Sequence, residues 1–427
     1  MTLCICIATV VCMIISIFIN AELRFKKINF SLYWVVCVIG ALTLIATGCV
    51  SFKRVTGEIF SVGNMNPVKI LLLFLSMTGI SVFLDAVGFF EKLAVIAVKK
   101  AGKSKLKLFI YLYALVSVLT IFTSNDVIIL TFTPFICYFC KAVKTNPLPL
   151  LFCEFVAGNT WSMFFIFGNP TNVYLTATSG IGFGEYFLNM AIPTLVCGVV
   201  SFTALIGAFY ADLKTPLEKK ELVRHGETDK TLVVMGLVAL FCSVVMMAVA
   251  DLIEIEMQNV TLISFITLIL CALIYLKFNG KGTAVIKNTL KRLPFALVPF
   301  LLSIFVIVSA LDASGYVEKT GDFLNSFQNG TVAYGIASFL SCNVINNIPM
   351  SVLFKKILSG SAVGGGAVYA TVLGSNLGAL LTPTGALAGI MWMNLSKRYK
   401  ANVGFLTFFK YGLMISVPTL LATVAVI

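Results

Sequence analysis

The sequence predicts an all-α polytopic membrane protein built from two inverted repeats of about five spans, each repeat carrying a re-entrant hairpin and a broken helix. Three observations predict it. The 427-residue chain is 59% hydrophobic and 11% charged, with a mean hydropathy of +1.00, which leaves too little polar surface to cover a soluble globule of this size. The segment LDAVGFFEK at 84–92 returns as LDASGYVEK at 311–319, each copy closing a long apolar run. Two polar interruptions then follow each copy in the same order: an Asn-centred break (Ser124-Asn125-Asp126, then Asn346-Asn347) and a Pro-Thr break (Gly168-Asn169-Pro170-Thr171-Asn172, then Thr382-Pro383-Thr384-Gly385). A duplicated hydrophobic unit interrupted twice by polar backbone reads as a secondary transporter.

Taken in order, apolar runs near 3–20, 30–51, 68–86, 188–210, 231–250, 259–276, 293–311 and 403–427 match spans of roughly 20 residues each. The first run lacks the basic leader of a signal peptide and is followed by Arg24, Lys26 and Lys27, so it reads as a retained span. The runs 147–178 and 366–395 contain the Pro-Thr breaks and are expected to be single spans made of two half-helices. The runs 108–143 and 331–358 carry their break in the centre and are expected to be re-entrant hairpins. This divides the chain into an N-terminal repeat (1–210), a cytoplasmic linker (211–230) and a C-terminal repeat (231–427).

The distribution of Lys and Arg orients the layout. Lys99, Lys100, Lys103, Lys105 and Lys107 flank one end of the first hairpin, Lys141 and Lys144 the other, and Lys277, Lys281, Lys287, Lys291 and Arg292 fill the loop 277–292. The turn between 250 and 259 holds Asp251, Glu254 and Glu256 with no basic residue. Basic loops inside and the acidic turn outside give ten spans with both termini outside. An odd number of spans per repeat makes the repeats inverted. Lys355 and Lys356 lie on the hairpin assigned to the outer face and oppose the scheme.

A net charge of +13 does not imply nucleic acid as a partner, because the basic residues occupy short loops facing anionic headgroups. The twelve cysteines are scattered through apolar runs, as small packing residues are. Cys137 and Cys140 have metal spacing but no second pair, and the single histidine, His225, lies in the hydrophilic linker. Cys342 is the thiol placed nearest a break. Gly364-Gly365-Gly366 lacks the Lys-Ser/Thr of a nucleotide loop, so energy comes from an ion gradient or from a separate soluble ATPase subunit. Direct enzymatic activity is not expected.

The chemistry is expected at the breaks, because unwound backbone at membrane depth persists only where it is buried in protein or lines a wet cavity. Asn side chains can satisfy open backbone and ligate a hard cation, and half-helix N-termini point amides at electron-rich groups. Asp126 is the one carboxylate at a duplicated break. An intramembrane carboxylate marks a proton or cation pathway, and the alternative is that Asp126 caps the second hairpin arm. Glu154, inside the next span, is the second coupling candidate. Asp85 and Asp312, with Glu91 and Glu318, belong to the duplicated element and read as interfacial anchors or caps.

Four stretches carry a family resemblance over nearly the whole chain from about 65 onward: TSNDVIILTFTPF (123–135), GNPTNVYL (168–175), NNIP (346–349) and GSNLGALLTPTGALAGIMW (374–392). The sequence resembles the ion transporter superfamily, whose members share a citrate-transporter-like domain and include arsenite efflux permeases of the ArsB type, NhaD-type sodium/proton antiporters and divalent anion/sodium symporters. The resemblance implies a multi-pass protein of the cell membrane and a homodimer. It adds Asn376 to the binding set of Ser124, Asn125, Asp126, Asn169, Pro170, Thr171, Asn172, Asn346, Asn347, Thr382, Pro383, Thr384 and Gly385. No cofactor is implied beyond a bound Na⁺ at Asn125, Asp126 and Asn346. None of the four breaks contains Lys or Arg, so a neutral hydroxide such as arsenite or antimonite suits them better than a polyanion. The favoured function is proton-coupled efflux of arsenite or antimonite. The alternatives are a Na⁺- or H⁺-coupled permease for a small organic or inorganic anion (di- or tricarboxylate, sulfate), a sodium/proton antiporter and a channel.

Overall fold

A computed structural model describes residues 1–19, 22–25, 28–60, 66–177, 179–217, 228–250, 253, 255–360, 364–401 and 403–427. His225, most of the linker, Asp251 and Glu254 lie outside the described residues. The chain is helical almost throughout, as its long apolar runs dictate: backbone removed from water must satisfy itself, and the helix does so within one segment. The first ten helices are α1 (Thr2–Phe18), α2 (Leu32–Ala46), α3 (Phe52–Ile59), α4 (Pro67–Ala86), α5 (Phe89–Ala101), α6 (Lys105–Phe122), α7 (Asn125–Ala142), α8 (Leu148–Trp161), α9 (Pro170–Thr176) and α10 (Phe183–Leu213). The next ten are α11 (Lys230–Ala250), α12 (Met257–Phe278), α13 (Ala284–Lys291), α14 (Leu297–Ala313), α15 (Tyr316–Asn325), α16 (Gly330–Ile345), α17 (Asn347–Gly360), α18 (Gly365–Gly378), α19 (Leu387–Arg398) and α20 (Phe405–Val424).

The same pairs pack in both sets. α1 lies on α2 and α11 on α12; α6 on α8 and α16 on α18; α8 on α10 and α18 on α20. Other contacts cross between the sets: α2 packs on α14 and α12 on α4, while α7 packs on α19 and α17 on α9. The second arm of each hairpin is therefore seated against the half-helix of the other repeat. The tightest of these contacts, α16 on α18, follows from Gly374 and Gly378, spaced as in membrane GxxxG pairs. A Cβ at Gly374 would run into Ser338 and the Gly335 carbonyl, and one at Gly378 into Cys342.

Six helices among the described residues are long and apolar enough to cross a membrane, and α14 with α15, bent by 78° at their junction, makes a seventh candidate. This is fewer than the ten expected spans. The shortfall comes from α1 and α2, which have 17 and 15 residues, and from the spans divided by their breaks, and one of the six, α6, belongs to the first expected hairpin. A two-stranded antiparallel hairpin, β1 (Glu22–Phe25) and β2 (Ile28–Ser31), takes the start of the run expected to span from 30. Its residues alternate polar and apolar, Glu22-Leu23-Arg24-Phe25 and Ile28-Asn29-Phe30-Ser31, which is the strand period.

The duplicated LDA element is a helix–turn–helix corner. α4 and α14 each end in it, Gly88 (φ 80°) and Gly315 (φ 75°) turn the chain in the left-handed region that favours glycine, and α5 and α15 follow with Glu91 and Glu318 in their first turns. The two aspartates are not simple anchors. Asp85 is ion-paired to Arg292, and Asp312 to Arg54 at 2.8 Å and Lys356 at 3.3 Å. Each aspartate is thus held by an arginine from the other repeat.

Candidate transport site

The first break is two extended residues, Thr123 and Ser124, between α6 and α7. Asn125 is the first residue of α7 and spends its side chain locally: Oδ1 accepts the Asp126 N–H at 2.9 Å, and Nδ2 donates to Asn159 Oδ1 at 3.2 Å. Asn159, fully buried on α8, donates in turn to the Phe155 carbonyl at 2.8 Å. The Asp126 carboxylate makes no hydrogen bond or ion pair among the described residues, so the capping alternative is not what the fold uses. Tyr33 of α2 lies within electrostatic range of it.

The second break of this repeat runs from Ser162 to Asn169 through a short 3₁₀ turn, Ile166–Gly168. Asn169 caps α9 through the Thr171 N–H at 3.2 Å, and Pro170 takes the first helical position, where its missing donor costs nothing. Asn376, buried on α18, ties this break to the other repeat. Its Oδ1 accepts from Asn169 Nδ2 at 2.8 Å and from Ser162 Oγ at 3.2 Å, while its Nδ2 donates to Asn172 Oδ1 at 2.8 Å and to the Val372 carbonyl at 2.8 Å. Asn172 donates to the Ser162 carbonyl at 2.9 Å. The hydroxyls of Ser124 and Thr171 are buried with no partner among the described residues, and buried polar atoms of that kind need a ligand or water.

The matching hairpin tip is a single residue. Asn346, between α16 and α17, holds φ 72° and ψ 152°, a conformation that costs a non-glycine residue about 1–3 kcal/mol. Its side chain offsets that cost, accepting from the Ile348 N–H at 3.3 Å and donating to the Thr384 carbonyl at 2.9 Å. Thr382 Oγ1 donates to Asn343 Oδ1 at 2.6 Å and lies 3.1 Å from Thr384 Oγ1. Asn347 is buried at the head of α17. Gly385 leaves the room that its break needs, since a Cβ there would lie 2.9 Å from the Gly378 carbonyl.

Several expectations shift in detail. Pro170 starts α9, whereas Pro383 starts the 3₁₀ turn Pro383–Gly385 before α19, so the two Pro-Thr breaks are offset: Asn169 corresponds to Ala386, which caps nothing with its side chain. Asn376 sits inside a helix and not at a break. Cys342 is buried, with its thiol on the Phe339 carbonyl and against Gly378. Lys355 and Lys356, which opposed the charge scheme, lie on α17. Lys355 is buried, with Nζ 5.5 Å from the centre of the Tyr174 ring on α9, and Lys356 pairs with Glu58 at 3.2 Å as well as with Asp312.

Glu154 is fully buried on α8. Thr133 of α7 donates to both its oxygens at 2.9 and 3.1 Å, and the Trp392 indole of α19 lies beside it, short of good hydrogen-bond geometry. Further along the same two helices, Tyr138 of α7 meets Tyr399, next after α19, with ring centres 5.1 Å apart. α7 and α19 therefore run side by side in the same direction, α7 starting at Asn125 and α19 just after the Thr384-Gly385 break. Helix N-termini that converge in this way favour anions and electron-rich groups.

Residues 25–373 match the family described as CitMHS, citrate transporter. The chain belongs to that family. It is similar to an arsenical pump membrane protein of Escherichia coli strain K12, at 25% identity over 413 residues covering 91% of both chains. An arsenical pump membrane protein of Yersinia enterocolitica is 24% identical, covering 82% of this chain and 84% of its own. An uncharacterized transporter of Mycobacterium tuberculosis strain H37Rv is 23% identical, covering 82% and 83%. Among solved structures, the crystal structure of the Alcanivorax borkumensis YdaH transporter superposes with a TM-score of 0.60 at 13% identity, covering 99% of this chain and 96% of that one, a likeness of fold. This member of the citrate transporter family is a multi-pass membrane transporter and not an enzyme.

Proposed function

We propose that the protein exports arsenite or antimonite in exchange for protons, with Asp126 as the coupling residue. The observation that carries this reading is the composition of the site: buried amides and a hydroxyl from Asn125, Asn346, Asn347, Asn376 and Thr171, with half-buried Thr384, one unpaired carboxylate and no Lys or Arg at any break. A neutral trihydroxide needs hydrogen-bond partners and no counter-charge, so such a lining suits it. Relatives named as arsenical pump membrane proteins support the same substrate.

A bound Na⁺ at Asn125, Asp126 and Asn346 is a weaker fit. Asn125 Oδ1 and Asn346 Oδ1 already accept backbone N–H groups, which leaves one free carboxylate where a cation wants about six oxygens. A proton needs only that carboxylate. One observation favours a second reading, cation-coupled uptake or exchange of a small anion: Lys355, two turns along the helix that begins at Asn347, places a buried amine close to the site. The deciding experiment is uptake into everted vesicles under an imposed proton or sodium gradient, with arsenite, antimonite, citrate, succinate and sulfate as substrates. Proton-driven, saturable accumulation of arsenite or antimonite is expected. Sodium-dependent accumulation of a carboxylate would replace this reading with the second, and flux without accumulation would make the protein a channel.

A further inference from the structure

α7 and α19 end in an unusual way. Both close with the backbone pattern in which the sixth residue bonds back to the first: the Thr145 N–H reaches the Cys140 carbonyl at 3.0 Å, and the Ala401 N–H reaches the Ser396 carbonyl at 2.8 Å. That closure requires one residue in the left-handed region, usually glycine. Elsewhere the chain supplies glycine at such ends, as at Gly48 after α2 and Gly280 after α12. Here the left-handed residues are Lys144 (φ 49°) and Lys400 (φ 63°), which with Asn346 are the non-glycine residues of positive φ among those described. A side chain in that conformation costs about 1–2 kcal/mol, and Lys400 carries its charge from that position into the space between the two ends.

The two ends enclose a cleft of about 280 Å³ lined by Cys137, Tyr138, Lys141, Arg398, Tyr399 and Lys400. Lys141, Arg398 and Lys400 are exposed and have no acidic partner among the described residues. Two tyrosines, edge to face, floor the space between the cations. Helix C-termini attract single cations on their own, but three cations around one cleft repel one another unless an anion sits among them. Tyrosine beside lysine and arginine at a helix end is the composition of the headgroup layer, and basic clefts between membrane helices take anionic headgroups.

We propose that the cleft between the C-terminal ends of α7 and α19 binds the phosphate of an anionic phospholipid. The lipid bridges the two repeats. α7 carries Asn125 and Asp126 at its far end and α19 follows the Thr384-Gly385 break, so a headgroup clamped here fixes the spacing of two helices that meet at the transport site.

The test uses the full-length protein in neutral phosphatidylcholine micelles or vesicles, with and without phosphatidylglycerol, and reads thermal unfolding. Wild type is expected to gain several degrees with phosphatidylglycerol. Lys400→Gly removes the charge while relieving the left-handed backbone, so its midpoint in phosphatidylcholine alone should equal or exceed that of wild type, yet its phosphatidylglycerol increment should fall by at least half. Arg398→Gln and Lys141→Gln should also lose increment, and Lys287→Gln, on a different helix, should keep it. An undiminished increment in Lys400→Gly and Arg398→Gln overturns the site. Full stabilisation by millimolar glycerol phosphate or inorganic phosphate without the lipid assigns the cleft to a soluble anion and overturns the lipid assignment.

Discussion

Asn159 and Asn376 hold the same place in the two repeats, each the twelfth residue of a 14-residue helix, α8 and α18, but only Asn376 reaches across to the other repeat. Asn159 bonds the hairpin tip of its own repeat through Asn125. Asn376 bonds Asn169, Asn172 and Ser162, so the break in the first repeat is held by the first half-helix of the second repeat's broken span. Removing Asn376 strands two polar groups in the interior, Asn169 Nδ2 and Asn172 Oδ1, while Ser162 Oγ keeps its bond to the Asn159 carbonyl, at about 1–3 kcal/mol for each group left unsatisfied. Asn376→Ala should therefore lower the thermal midpoint in detergent much more than Asn159→Ala does, since only one described side chain depends on Asn159. Equal losses in the two variants would show that the cross-repeat bonds carry no special stability.

Asp126 invites a charge deletion that preserves shape. Asp126→Asn keeps the size and hydrogen-bonding capacity of the side chain, and its carboxylate has no described partner to lose. We expect wild-type expression and thermal stability with gradient-driven accumulation abolished. By contrast, Asp85→Asn and Asp312→Asn break ion pairs to Arg292 and Arg54 and should lose transport only in step with folded protein. Accumulation at the wild-type rate in Asp126→Asn would move the coupling role to Glu154, which Thr133 holds against α7.

If the repeats are inverted, as the Lys and Arg distribution implies, the sidedness of exposed positions follows. Single cysteines at Lys103 and Lys287 in a cysteine-free background should be shielded from an impermeant thiol reagent added outside, and one at Asn259 should react. Asn259 is chosen because it is exposed, whereas the neighbouring Gln258 is buried. Labelling of Lys103 and Asn259 from the same side would place the two repeats in one orientation.

The membrane fold was legible because apolar runs and polar breaks are properties of consecutive residues, and α7 and α17 begin at Asn125 and Asn347 within the visible breaks. What escaped were relationships between distant residues. Asn159 lies in the run FCEFVAGNTW with no proline or repeated motif beside it, and only the equal lengths of α8 and α18 reveal its kinship with Asn376. The burial of Lys355 was not visible either, because a lysine pair on a hairpin arm gives no sign of which face it takes. The repeated Pro-Thr dipeptides suggested a register in which Pro170 matches Pro383, yet the helix starts put Asn169 opposite Ala386. Dipeptide identity misled there because proline suits the first position of any helical turn: Pro383 opens the 3₁₀ turn of its break, whereas Pro170 opens the helix that follows the equivalent turn.

A surface pair gives a pH prediction with a definite sign. Asp229 caps α11 through the Thr231 N–H at 3.0 Å and is bonded by Lys281 at 2.5 Å, and that lysine holds its carboxyl below the ordinary value of 3.8. A depressed folded pKa means stability present above the unfolded value and lost as pH falls through the folded one. Wild type and Asp229→Asn should therefore differ by a constant, small amount at neutral pH and converge below about pH 4. Because both groups are solvent-accessible, 0.5 M salt should shrink the difference. Divergence of the two curves in acid would contradict the pairing.

Lys355 separates the two transport readings. Its amine is buried over Tyr174, on the helix that starts at Asn347, and α17 packs against the half-helix of the other repeat. If the substrate is a neutral hydroxide, this charge serves the packing of α17 on α9, and Lys355→Gln should reduce folded protein while leaving the KM for arsenite unchanged per folded molecule. If the substrate is an anion, the same variant removes its counter-charge, and the loss of about 1.4 kcal/mol or more of binding raises KM at least tenfold. Lys355→Arg keeps the charge and discriminates further, since it restores anion transport only where charge is what matters. We expect an unchanged KM for arsenite in Lys355→Gln; a tenfold rise rescued by Lys355→Arg would favour the anion reading over arsenite.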